Sequence, residues 1–127
     1  MLKSKFIADI LELLLDGDDY GIKTKPQIDF ITESDYKYTG NGVFIAFEHK
    51  NGIEKYRYEK EDLIIDGVEI KSSELEFGAN CTLFFSNGII DYLEICNYGG
   101  TYPNAELKDY ELTQTWEGSE GKKIKSG

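Results

Sequence analysis

Few side chains in this sequence are suited to acid–base, nucleophilic or metal chemistry: one histidine, His49, and two cysteines, Cys81 and Cys96. His49 stands beside Asn51-Gly52, a pair typical of tight turns, so we expect an exposed loop position for it rather than a general base. One histidine and two cysteines on strands are too few ligands for a zinc site. The sequence shows no nucleophile elbow, phosphate loop or His-Glu-xx-His motif. We therefore predict no catalytic residue, no metal site, no cofactor and no enzymatic activity.

Carboxylates are abundant, with 24 acidic residues in 127, so neighbouring pairs are expected by chance and do not indicate a glycosidase. The loop at 16–21, DGDDYG, matches a calcium-binding loop at positions one, three and six. Tyr20 at the fifth position and Gln27 at the twelfth lack the chelating oxygens that such a loop needs. The segment is therefore better explained as the exit from a helix.

The net charge is −10 and the isoelectric point is near 4.5. Such a charge disfavours binding to nucleic acid and to anionic membranes, and it favours binding to basic partners. Lys3 and Lys5 precede an apolar run that is similar to a signal peptide, but Asp9 and Glu12 interrupt it. No stretch approaches the roughly 20 apolar residues of a membrane span. We expect a cytoplasmic protein that binds neither nucleic acid nor membrane.

Acidic clusters and loop tyrosines are the remaining functional signal. Carboxylates around exposed aromatic rings would suit contact with a basic protein, since charge speeds encounter and tyrosines anchor interfaces. A solvated acidic surface and tyrosines packed in the core are the alternatives. The candidate partner-binding residues are Asp16, Asp18, Asp19, Tyr20, Glu59, Glu61, Asp62, Tyr98 and Tyr102.

The elements that would position these residues predict an α+β fold: an N-terminal helix packed on a predominantly antiparallel, twisted β-sheet built from hairpins. Apolar residues at helical spacing over 3–16 predict the helix, with Ser4 as its cap and Gly17 at its end. Asn51-Gly52 and Asn87-Gly88 each lie between apolar runs and predict two hairpin turns.

The second hairpin, around Asn87-Gly88, is apolar on both predicted faces, which favours a central position in a sheet covered on both sides. A two-residue loop puts both cysteines on one face, too far apart on the diagonal for a disulfide, so we predict two reduced thiols. An exposed reactive thiol is the alternative. The predicted pairs are Ser86 with Ile89, Phe84 with Asp91, Thr82 with Leu93, and Asn80 with Ile95.

In the first hairpin, the same reasoning pairs Phe47 with Tyr56, Ile45 with Tyr58 and Glu48 with Lys55. Gly40-Asn41-Gly42 reads as a bulge or bend before it. A strand at 62–70 is expected to turn at Asp66-Gly67, and the last strand spans 110–116, whereas the structure of residues 22–35 stays open. We expect one domain over residues 1–117 and a flexible tail over 118–127.

Several segments of glycines and strand residues lie between positions 36 and 112: YTGNGVFI at 38–45, DGVEI at 66–70, Gly78-Ala79, NGIIDYLEI at 87–95 and Tyr102-Pro103. This pattern resembles that of small bacterial immunity proteins, the cognate inhibitors encoded beside polymorphic and contact-dependent growth-inhibition toxins. The resemblance implies a cytosolic protein that binds and neutralises one toxin domain, in many cases a nuclease. It brings no catalytic residue, and it transfers no toxin-binding residue to a numbered position.

Two other classes stay open at this point. An enzyme would show a pocket that gathers His49 or a cysteine with carboxylates. A structural or oligomerising module would show an exposed apolar patch. The sequence leaves the oligomeric state, the toxin's activity and the binding surface undetermined.

Overall fold

The computed structural model describes residues 1–17, 19–59 and 62–127, with the backbone but not the side chain of Asp19. Two α-helices, α1 (Lys5–Leu14) and α2 (Asp19–Thr24), precede seven strands, and 3-10 helices span Lys25–Phe30 and Ile53–Tyr56. The strands are β1 (Ile31–Tyr38), β2 (Gly42–His49), β3 (Ile64–Lys71), β4 (Ala79–Ser86), β5 (Ile89–Asn97), β6 (Glu111–Gln114) and β7 (Lys123–Lys125). The predicted α+β class is confirmed.

Helix α1 forms where the apolar spacing predicted it. The Ser4 hydroxyl caps it by accepting a hydrogen bond from the Ile7 amide at 3.1 Å, and Gly17 follows its end with a φ of 101°. Its buried face holds Phe6, Ile7, Ile10, Leu11, Leu13 and Leu14. None of the described helices is long and apolar enough to cross a membrane.

The strands form one antiparallel sheet in the order β1-β2-β5-β4-β3-β6-β7, so the β4–β5 hairpin is central, as predicted. Helix α1 packs against β3 and β6 on one face of the sheet. The side chains that alternate toward this face form the core, including Ile45, Leu83 and Leu93, each with no exposed surface. Side chains on the other face are half-buried or exposed. The expectation of a sheet covered on both sides was therefore wrong.

A β-bulge at Asp91 explains that error. The turn lies at Asn87-Gly88 as predicted, with positive φ at both residues and Ser86 opposite Ile89. Asp91 has no cross-strand partner, so Phe84 pairs with Tyr92 and every later pair is displaced by one residue from the prediction. The displacement brings Leu93 and Ile95 onto the same face as Leu83 and Cys81. One face of the hairpin is therefore fully apolar, and the other carries both polar and apolar side chains.

The predicted hairpin at Asn51-Gly52 was also wrong. Gly52 begins a 3-10 helix at a φ of 103°, and β2 pairs instead with β1 and β5. Gly40-Asn41-Gly42 lies where the chain turns from β1 into β2, with Gly42 as the first residue of β2, so it is not a bend within one strand. The inward face of β2, with Val43, Ile45 and Phe47, was assigned correctly.

The undetermined segment 22–35 contains the end of α2, a 3-10 helix and the start of β1. Gln27 holds it in place: its amide nitrogen donates to the carbonyls of Tyr56 at 2.8 Å and Gly88 at 2.9 Å, and its oxygen accepts from the Ile90 amide at 2.8 Å. A fully buried glutamine thus ties two loops to the central hairpin.

Asp66-Gly67 is a bulge inside one continuous strand, not the turn that the sequence suggested. Gly67 has a φ of 110°, and a Cβ at this position would lie 2.9 Å from the Trp116 Cα. Glycine is required on both grounds, the left-handed backbone and the close approach of β6's end.

The segment 118–127, predicted as a loose tail, contributes strand β7, so placing it outside the sheet was wrong. Residues 123–125 pair with 111–113, and the Lys122 ammonium lies 2.7 Å from the Asp16 carboxylate. Lysines of this segment form ion pairs with the acidic body: Lys123 and Lys125 lie 3.5 and 3.4 Å from Glu111.

The opposite edge strand, β1, carries a bulge between Glu33 and Asp35. Glu33 points inward and is only 5% exposed, and its two carboxylate oxygens each accept a backbone amide, from Lys3 and Ser4, at 2.8 Å. The edge strand is thereby attached to the start of α1.

The cysteines are free, as predicted, but they lie on opposite faces of the sheet: Cys81 is buried and Cys96 is exposed. Burial raises the pKa of the Cys81 thiol. We expect a thiol-specific reagent to label Cys96 alone in the native protein and both cysteines after denaturation, because the thiolate is the reacting species and must be accessible. Mass measurement of the labelled protein checks this; rapid native labelling of both thiols would contradict the burial of Cys81.

Candidate partner-binding face

The face of the sheet opposite α1, which we call the open face, presents a row of large side chains. Cross-strand pairing aligns Ala46 of β2, Tyr92 of β5, Phe84 of β4 and Ile64 of β3. Phe44 lies two residues before Ala46 on the same face. We call three aromatic residues and one isoleucine the aromatic patch: Phe44, Phe84, Tyr92 and Ile64.

The rings of the aromatic patch pack against one another. Phe84 and Tyr92 are stacked, with centroids 4.5 Å apart and an interplanar angle of 11°, and Phe44 meets Tyr92 at 6.1 Å and 58°. Ile64 is 58% exposed and Phe44 37% exposed. Large apolar side chains in a contiguous exposed patch indicate an interaction surface more strongly than isolated ones do.

Five carboxylates surround the aromatic patch on the same face. Asp35 and Glu94 lie directly across from Ala46 and Phe44, and Asp66 lies opposite Thr82. None of the five forms an ion pair with any residue in the described ranges, unlike Glu111 farther along the sheet. Lys37, opposite Phe44, is a basic residue on the same face. We call this set the acidic rim: Asp35, Glu48, Asp66, Glu69 and Glu94.

Two further aromatic side chains extend from the end of the sheet near Glu69. Phe77 is 62% exposed and Tyr98 is 55% exposed. Partial burial and the neighbouring Glu69 carboxylate raise the pKa of Tyr98, so its hydroxyl remains a hydrogen-bond donor at neutral pH. Tyr98, one of the residues chosen from the sequence, thus lies beside the acidic rim.

The other sequence-predicted residues are dispersed. Asp16 is engaged within the chain: the Lys122 ammonium, and the Gln114 amide at 3.3 Å, hold its carboxylate and lower its pKa. Asp18 and Glu61 lie outside the described residues, as does the side chain of Asp19. Of the sequence-predicted residues that the structure describes, Asp16 is held at the end of α1 and Tyr98 lies at the end of the sheet, so these two do not share one site.

Tyr20 is 42% exposed and meets Tyr58 edge-on, with ring centroids 5.4 Å apart. Glu59 and Asp62 are exposed, and Asp62 lies two residues before Ile64. Among the sequence-predicted residues, Asp62 and Tyr98 are close in sequence to strands that form the open face: Asp62 precedes β3 by two residues, and Tyr98 directly follows β5.

Tyr102 was wrongly chosen as a surface anchor. It is only 2% exposed, its ring stacks on Tyr38 at 6.4 Å, and its amide donates to the Gly40 carbonyl at 2.8 Å. Burial raises the pKa of its hydroxyl. Tyr102 is a core residue that packs the loop between β5 and β6 against the β1–β2 turn.

The residues of the aromatic patch were missed because the sequence placed Phe84 and Tyr92 on opposite faces. Only the bulge at Asp91 brings them together, and a bulge has no reliable sequence signal. Phe44 carried a usable signal, since it alternates with the correctly assigned Val43 and Ile45.

The side chains of the open face are apolar rings and carboxylates rather than a cluster of metal ligands. Among the described residues no group of three histidine, cysteine or acidic side chains is arranged to hold a metal ion. His49 is exposed at the end of β2, and its Nε2 lies within hydrogen-bond distance of the Ile90 carbonyl. Apolar rings surrounded by carboxylates match the apolar centre and polar rim of a protein interface.

Comparison with known proteins found no matching family model, no matching curated protein and no matching solved structure.

Proposed function

We propose that the chain is an immunity protein, which binds a cognate toxin domain by direct contact and neutralises it. The observation that carries the proposal is the open face, where the aromatic patch is partly exposed within the acidic rim, whose carboxylates form no ion pair with a described residue. The pattern of glycines and strands over residues 36–112, which resembles immunity proteins of polymorphic and contact-dependent growth-inhibition systems, supports the same function.

The open face suits a basic partner. Aromatic side chains supply most of the binding free energy at the centre of many interfaces, and complementary charge at the rim increases the association rate. If the toxin is a nuclease, its substrate groove must be positive to hold phosphates. An acidic face over that groove competes with the substrate, and binding alone blocks the toxin without any chemistry from this chain. The proposed site of action is the cytoplasm.

A homo-oligomer formed through the open face is the second candidate, because Ile64, Phe77 and Tyr98 are each more than half exposed. Two copies that met through this face would bring like-charged acidic rims together, in a chain whose net charge is −10. Repulsion between the rims disfavours that arrangement and favours a basic partner.

The decisive test is co-expression with the toxin encoded beside this chain's gene. We expect the two proteins to co-purify in a fixed ratio and the toxin's activity to be lost in the complex, whereas a toxin of similar charge from another system stays active. A purified chain that neither binds the neighbouring toxin nor protects cells from it would refute the proposal. Sedimentation of the chain alone reports on the homo-oligomer.

A further inference from the structure

We infer that the open face binds an arginine side chain of the partner directly above Ala46. This inference rests on the proposed function and specifies the chemistry that the partner must present.

Ala46 is the smallest side chain in its cross-strand row. It lies between Asp35 on one side and Tyr92 on the other. Directly opposed residues in a sheet have Cβ atoms about 4.5–5.5 Å apart, so a methyl group here leaves a shallow gap between two larger neighbours. Phe84 covers one side of the Tyr92 ring, whereas on the Ala46 side Phe44 meets it only as a tilted ring at 6.1 Å.

Carboxylates converge on the same position from three strands. Asp35 of β1 lies opposite Ala46, Glu48 follows two residues later on β2, and Glu94 of β5 lies opposite Phe44. In the described part of the chain none of these three is paired with a cation. A positive group above Ala46 would therefore meet an aromatic ring and several free acceptors at once.

Arginine fits this position better than the alternatives. Its planar guanidinium can lie against an aromatic ring and donate hydrogen bonds in several directions, whereas a lysine ammonium is a compact, strongly hydrated charge. Phosphates and other anions are repelled by the acidic rim. We therefore expect a basic partner that places an arginine over β2, between Asp35 of β1 and Tyr92 of β5.

The experiment uses the intact chain, with N-acetyl-arginine amide as probe and its lysine and citrulline counterparts as controls. We expect arginine to give saturable NMR shifts of the backbone amides around Ala46, with weak or no shifts from the uncharged citrulline probe. Ala46→Ile fills the gap and should abolish saturation, whereas Ala46→Ser keeps the volume and should retain it. Isoleucine is well accommodated in a strand, and the unperturbed spectrum elsewhere verifies folding.

Thr113→Ile is a matched control, since it adds apolar bulk on the same face but on β6. Asp35→Asn removes one carboxylate without adding volume and should weaken arginine binding severalfold. Equal responses to lysine and arginine, shifts spread over the whole acidic surface, or unchanged saturation in Ala46→Ile would each overturn the inference.

Toxin binding by the Ala46→Ile variant separates the arginine site from the immunity function. A toxin complex that forms equally well with Ala46→Ile and wild type would overturn the arginine site while leaving the immunity function intact. Saturable arginine binding at Ala46 with no toxin complex would sustain the site and refute the function.

Discussion

Replacement of Leu83 by aspartate is expected to unfold the protein. Leu83 is fully buried on β4, the middle strand of the sheet, opposite the equally buried Leu93. A carboxylate there would lose its hydration without gaining a partner, and it would also remove apolar contacts with the core. Such changes cost several kcal/mol, a large part of the roughly 5–15 kcal/mol that stabilises a domain. Thermal unfolding followed by circular dichroism checks the result.

Ser86→Asp is the matched control, because it introduces the same charge on the same strand at an exposed position. We expect it to leave the melting temperature nearly unchanged, and Leu93→Asp to behave like Leu83→Asp. If both buried variants melted at the wild-type temperature, the central position of the hairpin would be wrong.

The second large effect is expected on toxin binding. Tyr92→Ala removes the ring that contacts both Phe44 and Phe84, and a central anchor of this kind contributes about 2 kcal/mol or more, which corresponds to roughly thirtyfold in affinity. We expect the loss to appear mainly as faster dissociation, measured by surface plasmon resonance, since interface contacts act chiefly on that rate.

Charge is expected to act mainly on the association rate constant. Raising the salt from tens to hundreds of millimolar is expected to slow association roughly tenfold or more while changing dissociation less. Glu94→Lys should slow association similarly at low salt. Glu117→Lys is its control, because Glu117 is exposed beside Trp116, whose indole donates to Leu13 at the end of α1, away from the open face. Equal effects of the two reversals, or an association rate that ignores salt, would refute the electrostatic part of the proposal.

The contrast between the two Asn-Gly pairs shows how far local sequence decides this fold. Both fit a tight turn, yet only Asn87-Gly88 joins paired strands, because the residues after Gly52 fold back as a 3-10 helix over the inward-facing Phe30 and Gln27 region. Periodicity predicted α1 and the inward face of β2, since both depend on neighbours within one element.

The features that sequence could not supply are those set by pairing between distant segments. The bulge at Asp91 depends on how β4 and β5 align, and it decides which rings share the open face. Strand β7 pairs with β6, and the ion pairs beside it also join separated positions: Lys122 lies 106 residues from Asp16, and Lys123 lies 12 residues from Glu111. Tyr102 was misplaced for the same reason, since its burial depends on the β1–β2 turn.

The structure of the two edge strands affects the tendency of this chain to aggregate at high concentration. An uninterrupted edge strand is a template for strand addition and hence for aggregation, which bulges, inward charges, short strands and edge lysines oppose. Strand β1 has a bulge beside the inward carboxylate of Glu33, and β7 is three residues long and begins and ends with lysine. Both edges therefore oppose strand addition from another copy, and we expect the protein to stay dispersed at concentrations where flat-edged sheets precipitate.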